Sequence, residues 1–550
     1  MNNEAMRLAR YPSEGYLEVG EVLEPGGNPR EYIDEPERCE AEKPLGAVFK
    51  SDDKRPLTWK QTGDIWMYGF WYWDWADCTL KVKHIDTSEG TIATEQASYY
   101  SIRSEQRYYY FNVLEELDTP GEWYVDREAG ILYVYPSHPG EEATAELSLF
   151  KGALIQTDGA SHIRFRRLQV ELTRTEAIQI NGGYDVIVEG CRIGQTGGFG
   201  ISIGNTPKDS AHGDPFGGEL NAGKQHKVSS CDIYDTGTGG IYLAGGQRTT
   251  LEPAGNIAIN NDISNYSRLR PTNCAAIELV GVGNKALRNY IHDAPHFGIY
   301  LHGNDHLVEG NEITRVILET GDAGAIYIGR NWTEQGNIIR YNRISRIGNE
   351  VTKLQIGIYL DDMASGVTVY GNIIHGTQRA MLVGGGRGNQ IENNLIACSN
   401  EGLILDNRAM PGEWAAGHVE EGQVMHRRLL EMPYQNPLWQ SRYPQLIHIW
   451  EDEAGTPKYN KVINNLSYHN EVITIKDVRY EDSLYVTAKA IEYGEKRGNL
   501  TVDSGIDFLV KGDPVSGVDP QGNIREHMPE FQPIPVEQIG LYKDEFRLKV

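Results

Sequence analysis

Two short patterns alternate along the chain from about residue 160, and they constrain the fold more than any other feature. In the first pattern a small residue is followed by an apolar residue, a variable residue, a second apolar residue and then Gly or a polar residue. It recurs in AIQING (177–182), GISIGN (200–205), GIYLAG (240–245), AIELVG (276–281), GIYLHG (298–303), AIYIGR (325–330), GIYLDD (357–362), AMLVGG (380–385) and GLILDN (402–407). Alternation of apolar and variable positions predicts short β-strands.

The second pattern lies between these segments and has Cys or Asn at its fourth position. The residues at that position are Cys191, Cys231, Asn261, Asn289, Asn311, Asn342, Asn372, Asn394 and Asn465. An Asn in a tight turn tolerates a left-handed φ, and its amide can bond to the Asn of the next repeat. We therefore predict a ladder of stacked, structural turns.

The spacing of both patterns predicts a right-handed parallel β-helix. Equivalent positions are 22 residues apart at their closest, as from Asn289 to Asn311. A unit of that length with two or three short strands is one coil, and neighbouring coils lie about 4.8 Å apart. A leucine-rich repeat is excluded because no LxxLxLxxN phasing is present, and a propeller needs blades of about 40 residues. The expected fold class is therefore all-β.

Two regions differ from the repeats. Residues 1–150 include a stretch with five Trp (58–82) and a DREAG turn between strand-like runs, which predicts a β-sandwich-like subdomain with the remnant of an N-terminal β-helix portion. The β-helix is assigned to residues 151–510, with an insertion at 408–458 that has partly helical spacing and leaves beside the face of the preceding strand. Residues 511–550 form a tail expected to cover the last coil.

Composition narrows the possible partners. A formal net charge of −25 argues against nucleic acid, because binding phosphates requires a basic surface. The six Cys show no zinc spacing and are expected to be mostly buried thiols, with no metal site, and no apolar stretch is long enough to predict a membrane partner. The N-terminus has no apolar signal region, which predicts a cytoplasmic protein if Met1 is the true start and a secreted one if a segment is missing.

The middle residue of each first-pattern segment is expected to point outward, because its two apolar neighbours point inward. This outward column contains Gln179, Ser202, Tyr242, Glu278, Tyr300, Tyr327, Tyr359, Leu382 and Ile404. Its three successive tyrosines predict an exposed strip on which sugar rings can pack, although a plain stacking ladder explains them equally well. Glu278 and His302 line the same face and are candidates for binding hydroxyl groups.

Carboxylate side chains are also predicted on this outward face. Asp361 lies between Gly329 and Gly384 of the neighbouring coils, which predicts open space beside it. Adjacent Asp361 and Asp362 should not both ionise when desolvated, and Arg330, one coil away, is placed to be the cation for Asp362. The alternative is a solvated turn with a surface ion pair.

Two further aspartates belong to this group. Asp406 shares the column of Asp361 two coils away, a gap of roughly 9.6 Å, near the upper end of the carboxylate separation of inverting glycosidases. Asp322 precedes its strand, and a straight backbone would place it about 26 Å from Asp362. Only a turn folded over the groove would bring Asp322 and Asp362 together, and a turn-forming role for Asp322 is the alternative.

Several longer segments resemble a known group of proteins. LARYPSEGY, TGDAGAIYIGRNW, GIYLDDMASGVTVYGNII, PLWQSRYP and FQPIPVEQIGLYKDEFR resemble right-handed β-helix glycoside hydrolases with an inserted β-sandwich, namely the groups containing β-xylosidases and the fucosidase/xylanase family. The resemblance covers nearly the whole chain. It implies catalytic roles for Asp322 and for the Asp361/Asp362 pair, and a sugar-subsite role for Trp71, Trp73 and Trp75. It also implies further N-terminal coils before the ARYPSEG motif, where this sequence begins.

These observations favour a glycoside hydrolase acting on plant-type oligo- or polysaccharides through paired aspartates, without a cofactor. Candidate substrate-binding residues are Glu278, His302, Tyr300, Tyr327, Arg330, Tyr359, Asp406, Trp71, Trp73 and Trp75. A polysaccharide lyase or epimerase on uronate glycans is the first alternative, with Arg330, Tyr327 and His302 available and calcium a possible requirement. A non-catalytic glycan-binding β-helix protein is the second.

Overall fold

The computed structural model describes residues 5–32, 43–60, 63–138, 140, 144–206, 220–397, 399–468, 473–476, 495–497, 500–502 and 530–549. The chain divides into two compact units, Met1–Ser148 and Leu149–Val550. Among the described cysteines, Cys191, Cys231 and Cys274 are buried and Cys78 is half-buried, in line with the prediction of mostly buried side chains. Cys39 and Cys398 lie outside the described residues. Within the described parts of the chain, none of the helices combines the length and apolar character needed to cross a membrane.

The first unit is built mainly from antiparallel strands around an aromatic core, and Arg7–Leu8 pairs parallel with Glu122–Asp126. Its eight-stranded sheet, counted over the described residues, comprises Arg10–Tyr11, Leu17–Glu18, Val22–Glu24, Val48–Lys50, Trp66–Phe70, Cys78–Asp86, Thr91–Thr94 and Arg107–Phe111. A smaller sheet comprises Arg7–Leu8, Glu122–Asp126 and Ile131–Tyr135. Short 3-10 helices span Pro29–Tyr32, Arg55–Thr58 and Leu114–Glu116.

The second unit contains three parallel sheets, each of 11 strands within the described residues. Sheet 1 comprises Ile155–Asp158, Ile178–Asn181, Ile201–Ile203, Ile241–Leu243, Ala275–Val282, Phe297–Asn304, Ala323–Gly329, Gln355–Asp361, Arg379–Gly384, Glu401–Asp406 and Ile473–Lys476. Sheet 2 comprises Arg164–Arg166, Ile187–Glu189, Lys227–Ser229, Ile257–Ile259, Lys285–Leu287, Leu307–Glu309, Ile338–Arg340, Thr368–Tyr370, Gln390–Glu392, Lys461–Ile463 and Glu495–Arg497. Sheet 3 comprises Gln169–Thr173, Arg192–Thr196, Asp232–Thr236, Asp262–Ser264, Tyr290–His292, Glu312–Thr314, Arg343–Ser345, Ile373–His375, Leu395–Ala397, Leu466–Tyr468 and Leu500–Val502.

Each strand pairs with its equivalent in the next coil, so inward side chains stack along the helix axis. Ile299, Ile326 and Ile358 are in register in successive coils of sheet 1 and are buried in one continuous apolar core. Burying stacked aliphatic side chains of this kind contributes on the order of 1.5–3 kcal/mol each. The predicted parallel β-helix is therefore confirmed, and the first-pattern segments form sheet 1.

The predicted asparagine ladder is also confirmed, at the turn between sheets 2 and 3. The backbone N–H of Asn289 donates to Asn311 Oδ1 at 3.0 Å, and that of Asn311 donates to Asn342 Oδ1 at 2.9 Å. The left-handed φ, however, belongs to the residue before each ladder position, such as Arg288 (φ 50) and Tyr341 (φ 56). The ladder Asn is selected for its two-sided amide rather than for its tolerance of positive φ.

A second ladder, which the sequence patterns did not single out, lies five residues before the first. Its members are His226, Asn256, Asn284, His306, Asn337, Asn389 and Asn460. The N–H of Asn284 donates to His306 Nδ1 at 3.1 Å, and that of His306 donates to Asn337 Oδ1 at 3.0 Å. GN dipeptides recur at four of these positions, and this repetition was the sequence signal that could have revealed the ladder.

The insertion forms a small helical layer with its own core. Helices span Val424–Leu430 and Pro437–Arg442, and 3-10 helices span Ala416–Val419 and Pro444–Leu446. Trp439 is buried in a cluster that also includes Trp332 and Met363 from the coils. Further 3-10 helices of this unit span Arg248–Thr250 and Val536–Gln538.

The described part of the tail, 530–549, runs along the side of the β-helix rather than across its last coil. Gln532 N–H donates to Asn393 Oδ1 at 2.6 Å, while Tyr542 N–H donates to Asn260 Oδ1 at 2.8 Å, several coils nearer the N-terminus. The polar turn residues beside the asparagine ladder therefore hold this segment. Residues 511–529, which also belong to the predicted cap, lie outside the described residues.

Candidate functional site

The candidate site lies where strands of sheet 1 end. Asp361 is the last residue of the strand Gln355–Asp361 and pairs with Gly329 of the preceding coil. Asp406 is the last residue of Glu401–Asp406 and pairs with Gly384. Because parallel in-register strands end at the same edge, these carboxyl groups project into one region on the outside of the β-helix.

Arg408, which the sequence patterns do not single out, joins the acids. Its Nη1 donates to Asp361 Oδ1 at 2.5 Å and to Asp362 Oδ1 at 3.0 Å. Its Nη2 donates to Asp406 Oδ2 at 2.7 Å. One buried guanidinium thus bonds to three carboxylates, an arrangement suited to its planar, forked donors. The only sequence feature that could have pointed to Arg408 is its position two residues after Asp406.

The predicted open space beside Asp361 is filled, which corrects that expectation. A Cβ at Gly384 would lie 2.4 Å from Cζ of Arg408, so the guanidinium occupies the room that the glycine leaves. A Cβ at Gly329 would lie 3.2 Å from the Tyr327 hydroxyl. The gap between Asp361 and Asp406 therefore holds a cation, and these two residues do not form the water-separated pair of an inverting glycosidase.

Arg330 forms the ion pair predicted from the sequence. Its Nε donates to Asp362 Oδ2 at 2.7 Å, and its Nη2 contacts the same oxygen. Burial alone would raise the pKa of Asp362, but the charges of Arg330 and Arg408 outweigh it and lower that pKa. Asp362 is thus a fully buried, ionised carboxylate, which holds both guanidinium groups in place.

Asp322 lies in the same site, and the 26 Å separation expected from a straight backbone is wrong. The Tyr359 hydroxyl donates to Asp322 Oδ1 at 3.0 Å. Gly324 pairs with Ile356, yet a Cβ on Gly324 would lie 2.7 Å from Cβ of Tyr359, three residues further along that strand. The entry to the strand is therefore bent, and the absent side chain of Gly324 permits the bend.

The pKa values of Asp322 and Asp361 are raised, whereas that of Asp362 is lowered. Burial, followed by the charge of Asp361, raises the pKa of Asp322 to about 7. Burial and the adjacent charge of Asp362 raise the pKa of Asp361, while Arg408 opposes this rise. Asp361 Oδ2 also accepts a hydrogen bond from the Tyr327 hydroxyl at 2.8 Å. The site thus combines a carboxyl that titrates near neutrality with a carboxylate held by two donors.

The three outward tyrosines do not form the exposed aromatic strip that the sequence predicted. Tyr359 is buried, and Tyr300 and Tyr327 are half-buried. The rings meet edge to face, with centroids 5.0 Å apart for Tyr300 and Tyr327 and 5.4 Å apart for Tyr327 and Tyr359. The stacking-ladder explanation applies, and the hydroxyl groups of Tyr327 and Tyr359 bind the acids.

Glu278 and His302 occupy the same sheet in earlier coils. Glu278 is in register with Tyr300, and burial raises its pKa to about 7 although the charge of Arg270 opposes the rise. The imidazole of His302 packs against the Tyr300 ring, with the two ring centroids 3.9 Å apart. Burial, aided by the charge of Arg428, lowers the pKa of His302 to about 3. His302 is therefore neutral at physiological pH and is not a proton donor there.

The three tryptophans of the first unit differ in exposure. Trp71 is buried in the unit's core, where its Nε1 donates to the Cys78 carbonyl at 2.8 Å, so a direct role in a sugar subsite is excluded. Trp73 is exposed, and its ring lies parallel to that of Trp75 with centroids 6.4 Å apart. These two remain candidates for contact with a ligand.

One arginine of the insertion reaches the site from the helix Val424–Leu430. Arg428 Nη1 donates to the Arg330 carbonyl at 2.6 Å, and the charge of Arg428 acts on Tyr300 and His302. Among the residues that the structure describes, no group of three or more His, Cys, Asp or Glu side chains is arranged to hold a metal ion. The cations of the site are arginines.

Comparison with known proteins supports the fold. A sequence profile described as "Right handed beta helix region" matches residues 275–411. A search of curated proteins found no significant match. A solved structure titled "Glycoside hydrolase" is 16% identical, with a TM-score of 0.55, over 71% of this chain and 75% of that one. This chain is a right-handed parallel β-helix, as the sequence predicted.

Two other solved structures are more distantly similar. One is titled as a mannuronic acid specific polysaccharide family 6 lyase enzyme from human gut microbiota, with 13% identity, a TM-score of 0.33 and coverage of 70% of this chain and 91% of that chain. The other is titled as the complex structure of XylC with xylose, with 14% identity, a TM-score of 0.26 and coverage of 86% and 75%.

Proposed function

We propose that this protein is a glycoside hydrolase in which Asp322 is the general acid and Asp361 the second catalytic carboxylate. One observation carries the proposal: Asp322, with a pKa raised to about 7, lies beside Asp361, whose charge contributes to that rise. A protonated carboxyl next to an ionised one is the pairing that glycosidic bond cleavage requires. The solved glycoside hydrolase with the same fold shows that the fold carries such an activity in another protein.

Asp322 supplies the proton. Near neutral pH its carboxyl group is half protonated, and the Tyr359 hydroxyl bonded to Oδ1 fixes its orientation. In the proposed reaction Asp322 protonates the glycosidic oxygen as the bond to the anomeric carbon breaks. General acid catalysis of this kind contributes about 10²- to 10⁴-fold in rate.

Asp361 supplies the negative charge opposite the departing group. Arg408 and Tyr327 each donate to one of its oxygens, so the carboxylate is oriented before substrate binds. It then attacks the anomeric carbon or activates water. Asp362 is a positioning residue in this proposal, because each of its oxygens pairs with a guanidinium group and its side chain is more deeply buried than that of Asp361.

The test uses leaving groups of different acidity. Wild type, Asp322→Asn, Asp361→Asn and Asp362→Asn are assayed on para-nitrophenyl and unactivated alkyl glycosides of xylose, arabinose, fucose and glucose, and on plant polysaccharides. We expect Asp322→Asn to retain most activity on nitrophenyl glycosides, whose leaving group needs no proton, and to lose about 10²-fold or more on alkyl glycosides. Asp361→Asn should lose activity on both kinds of substrate.

Two results would overturn this assignment. Equal losses of Asp322→Asn on both leaving groups would remove Asp322 as the proton donor. Turnover of uronate glycans into unsaturated products, seen as new ultraviolet absorbance, with no hydrolysis of the panel would identify a lyase instead. Circular dichroism and thermal unfolding of each variant establish that the fold is intact.

A further inference from the structure

The segment directly after Asp406 holds an exposed tryptophan beside the acids. Backbone hydrogen bonds fold this segment into a fixed loop, with Met410 N–H donating to Asn407 O at 2.8 Å and Ala415 N–H donating to Arg408 O at 2.9 Å. Ala415 is buried, whereas the next residue before it, Trp414, is 55% exposed. The loop therefore presents the indole to solvent from a well-anchored backbone.

Arg408 links this indole to the carboxylates. Its Cζ lies 5.5 Å from the centroid of the Trp414 ring, within the range of a cation–π contact. The same guanidinium bonds to Asp361 at 2.5 Å. Trp414 is thus one side chain away from the second catalytic carboxylate, and more than half of its surface is open to solvent.

His418 stands at the edge of the same ring. Its imidazole meets the Trp414 ring at 87° with centroids 5.8 Å apart. Burial, followed by the charge of Arg330, lowers the pKa of His418, and the charges of Asp361 and Asp362 also reach it. The imidazole of His418 is therefore neutral at physiological pH and has one donor and one acceptor nitrogen. Among the residues that the structure describes, the buried Nδ1 of His418 has no hydrogen-bond partner, while the imidazole as a whole is half-buried.

We propose that Trp414 and His418 form a sugar subsite next to Asp361, in which the indole packs against the C–H face of a neutral pyranose ring and the imidazole bonds to one of its hydroxyl groups. The inference rests on the proposed function and extends it to the substrate class. A neutral sugar fits because Arg408 and Arg330 already pair with carboxylates, and an anionic sugar would meet the charges of Asp361 and Asp406. Aromatic rings offer such a ring a broad apolar face.

The test separates binding from chemistry. Trp414→Ala, Trp414→Phe and His418→Ala are assayed on the para-nitrophenyl glycoside that wild type hydrolyses fastest, and xylotriose and cellotriose are titrated calorimetrically into these variants in the Asp322→Asn background. We expect Trp414→Ala to raise KM and Kd roughly tenfold, Trp414→Phe to stay within about threefold, and the pH profile of kcat to be unchanged. Leu430→Ala, which removes an exposed apolar side chain from the same insertion, is the matched control.

The outcomes distinguish this inference from the proposed function. Hydrolysis by wild type with unaltered KM and Kd in Trp414→Ala would overturn the subsite and leave the hydrolase assignment intact. Trp414-dependent binding of the trisaccharides without hydrolysis of any glycoside would overturn the hydrolase assignment and leave the subsite intact. Absence of both binding and turnover would overturn both.

Discussion

Gly384 and Arg408 are fitted to one another: the guanidinium of Arg408 lies where any larger residue at position 384 would place its side chain. The fit is a geometric requirement of the site, because Arg408 reaches Asp361 and Asp406 only across that glycine. The φ of Gly384 is not positive, so the backbone conformation does not require glycine here. The residue is needed because it leaves room for the guanidinium.

Gly384→Ala is expected to displace Arg408 and reduce kcat/KM roughly 100-fold, since misplacement of a site group by about 1 Å can have that effect. Loss of the Arg408 charge should raise the pKa of Asp361, because that charge now opposes the rise. The acidic limb of the kcat/KM profile should therefore move to higher pH. Gly63→Ala, where an added Cβ meets nothing within 4 Å, is the control. An unchanged profile in Gly384→Ala would show that Arg408 does not tune the acids.

The fall of kcat/KM at high pH is expected to follow the deprotonation of Asp322. Its pKa is raised to about 7, so the protonated form needed for catalysis disappears as pH rises through about 7, and kcat/KM should fall there. Wild type should show this fall on an alkyl glycoside, whose leaving group needs the proton, and the residual activity of Asp322→Asn on the same substrate should not show it. If the fall persists in that variant, another group is responsible for it.

Glu278→Gln is expected to stabilise the fold above neutral pH. The pKa of buried Glu278 is raised from 4.5 to about 7, so the folded state binds its proton more tightly than the unfolded state. Wild-type stability is therefore lost progressively as pH rises from about 4.5 to about 7, by on the order of 3 kcal/mol at most, and an uncharged glutamine avoids this loss. Thermal unfolding should show a higher Tm for the variant at pH 8 and equal Tm values near pH 4. A Tm difference independent of pH would contradict the assignment.

Asn311→Ala tests the ladder. The substitution leaves the backbone N–H of Asn289 and the Ala286 carbonyl without their side-chain partner inside the turn column. We expect a loss of about 2–4 kcal/mol in unfolding free energy, because buried unpaired groups retain their desolvation cost. Asn311→Cys, which copies Cys231 of the same column, should be less damaging. The kcat of the folded variants should match wild type, since Asn311 lies between sheets 2 and 3 and the acids lie on sheet 1.

The coil architecture could be predicted from the sequence because strand alternation and the Asn column repeat at every coil, and each repeat constrains the next. The pairing of Arg330 with Asp362 followed from the same register. The sequence also named the four aspartates of the site, but it did not show how they are joined, because the joining features lie outside the repeats. Arg408 belongs to the insertion, and the bend at Gly324 that brings in Asp322 departs from the straight strand that periodicity implies.

The sequence also predicted wrongly that the tyrosines of the outward column are exposed, for a related reason. Strand periodicity distinguishes inside from outside but carries no information on what covers the outside. Tyr359 is buried on the outer face, where it forms an apolar cluster with Leu382 and Ile404. The exposed aromatic residue near the acids is Trp414, which lies outside every repeat.

The insertion enters and leaves the β-helix without disturbing the stacking of its coils. Gln390–Glu392 pairs in register with Lys461–Ile463, and Asn394 continues the ladder to Asn465 across it. The register of the coils therefore does not depend on this excursion, and Asp322 and Asp361 belong to the coils themselves. Under the proposed function, exchanging this one module would change the sugar preference, provided that the new segment supplies an arginine to hold the acids and apolar side chains to cover Trp332 and Met363.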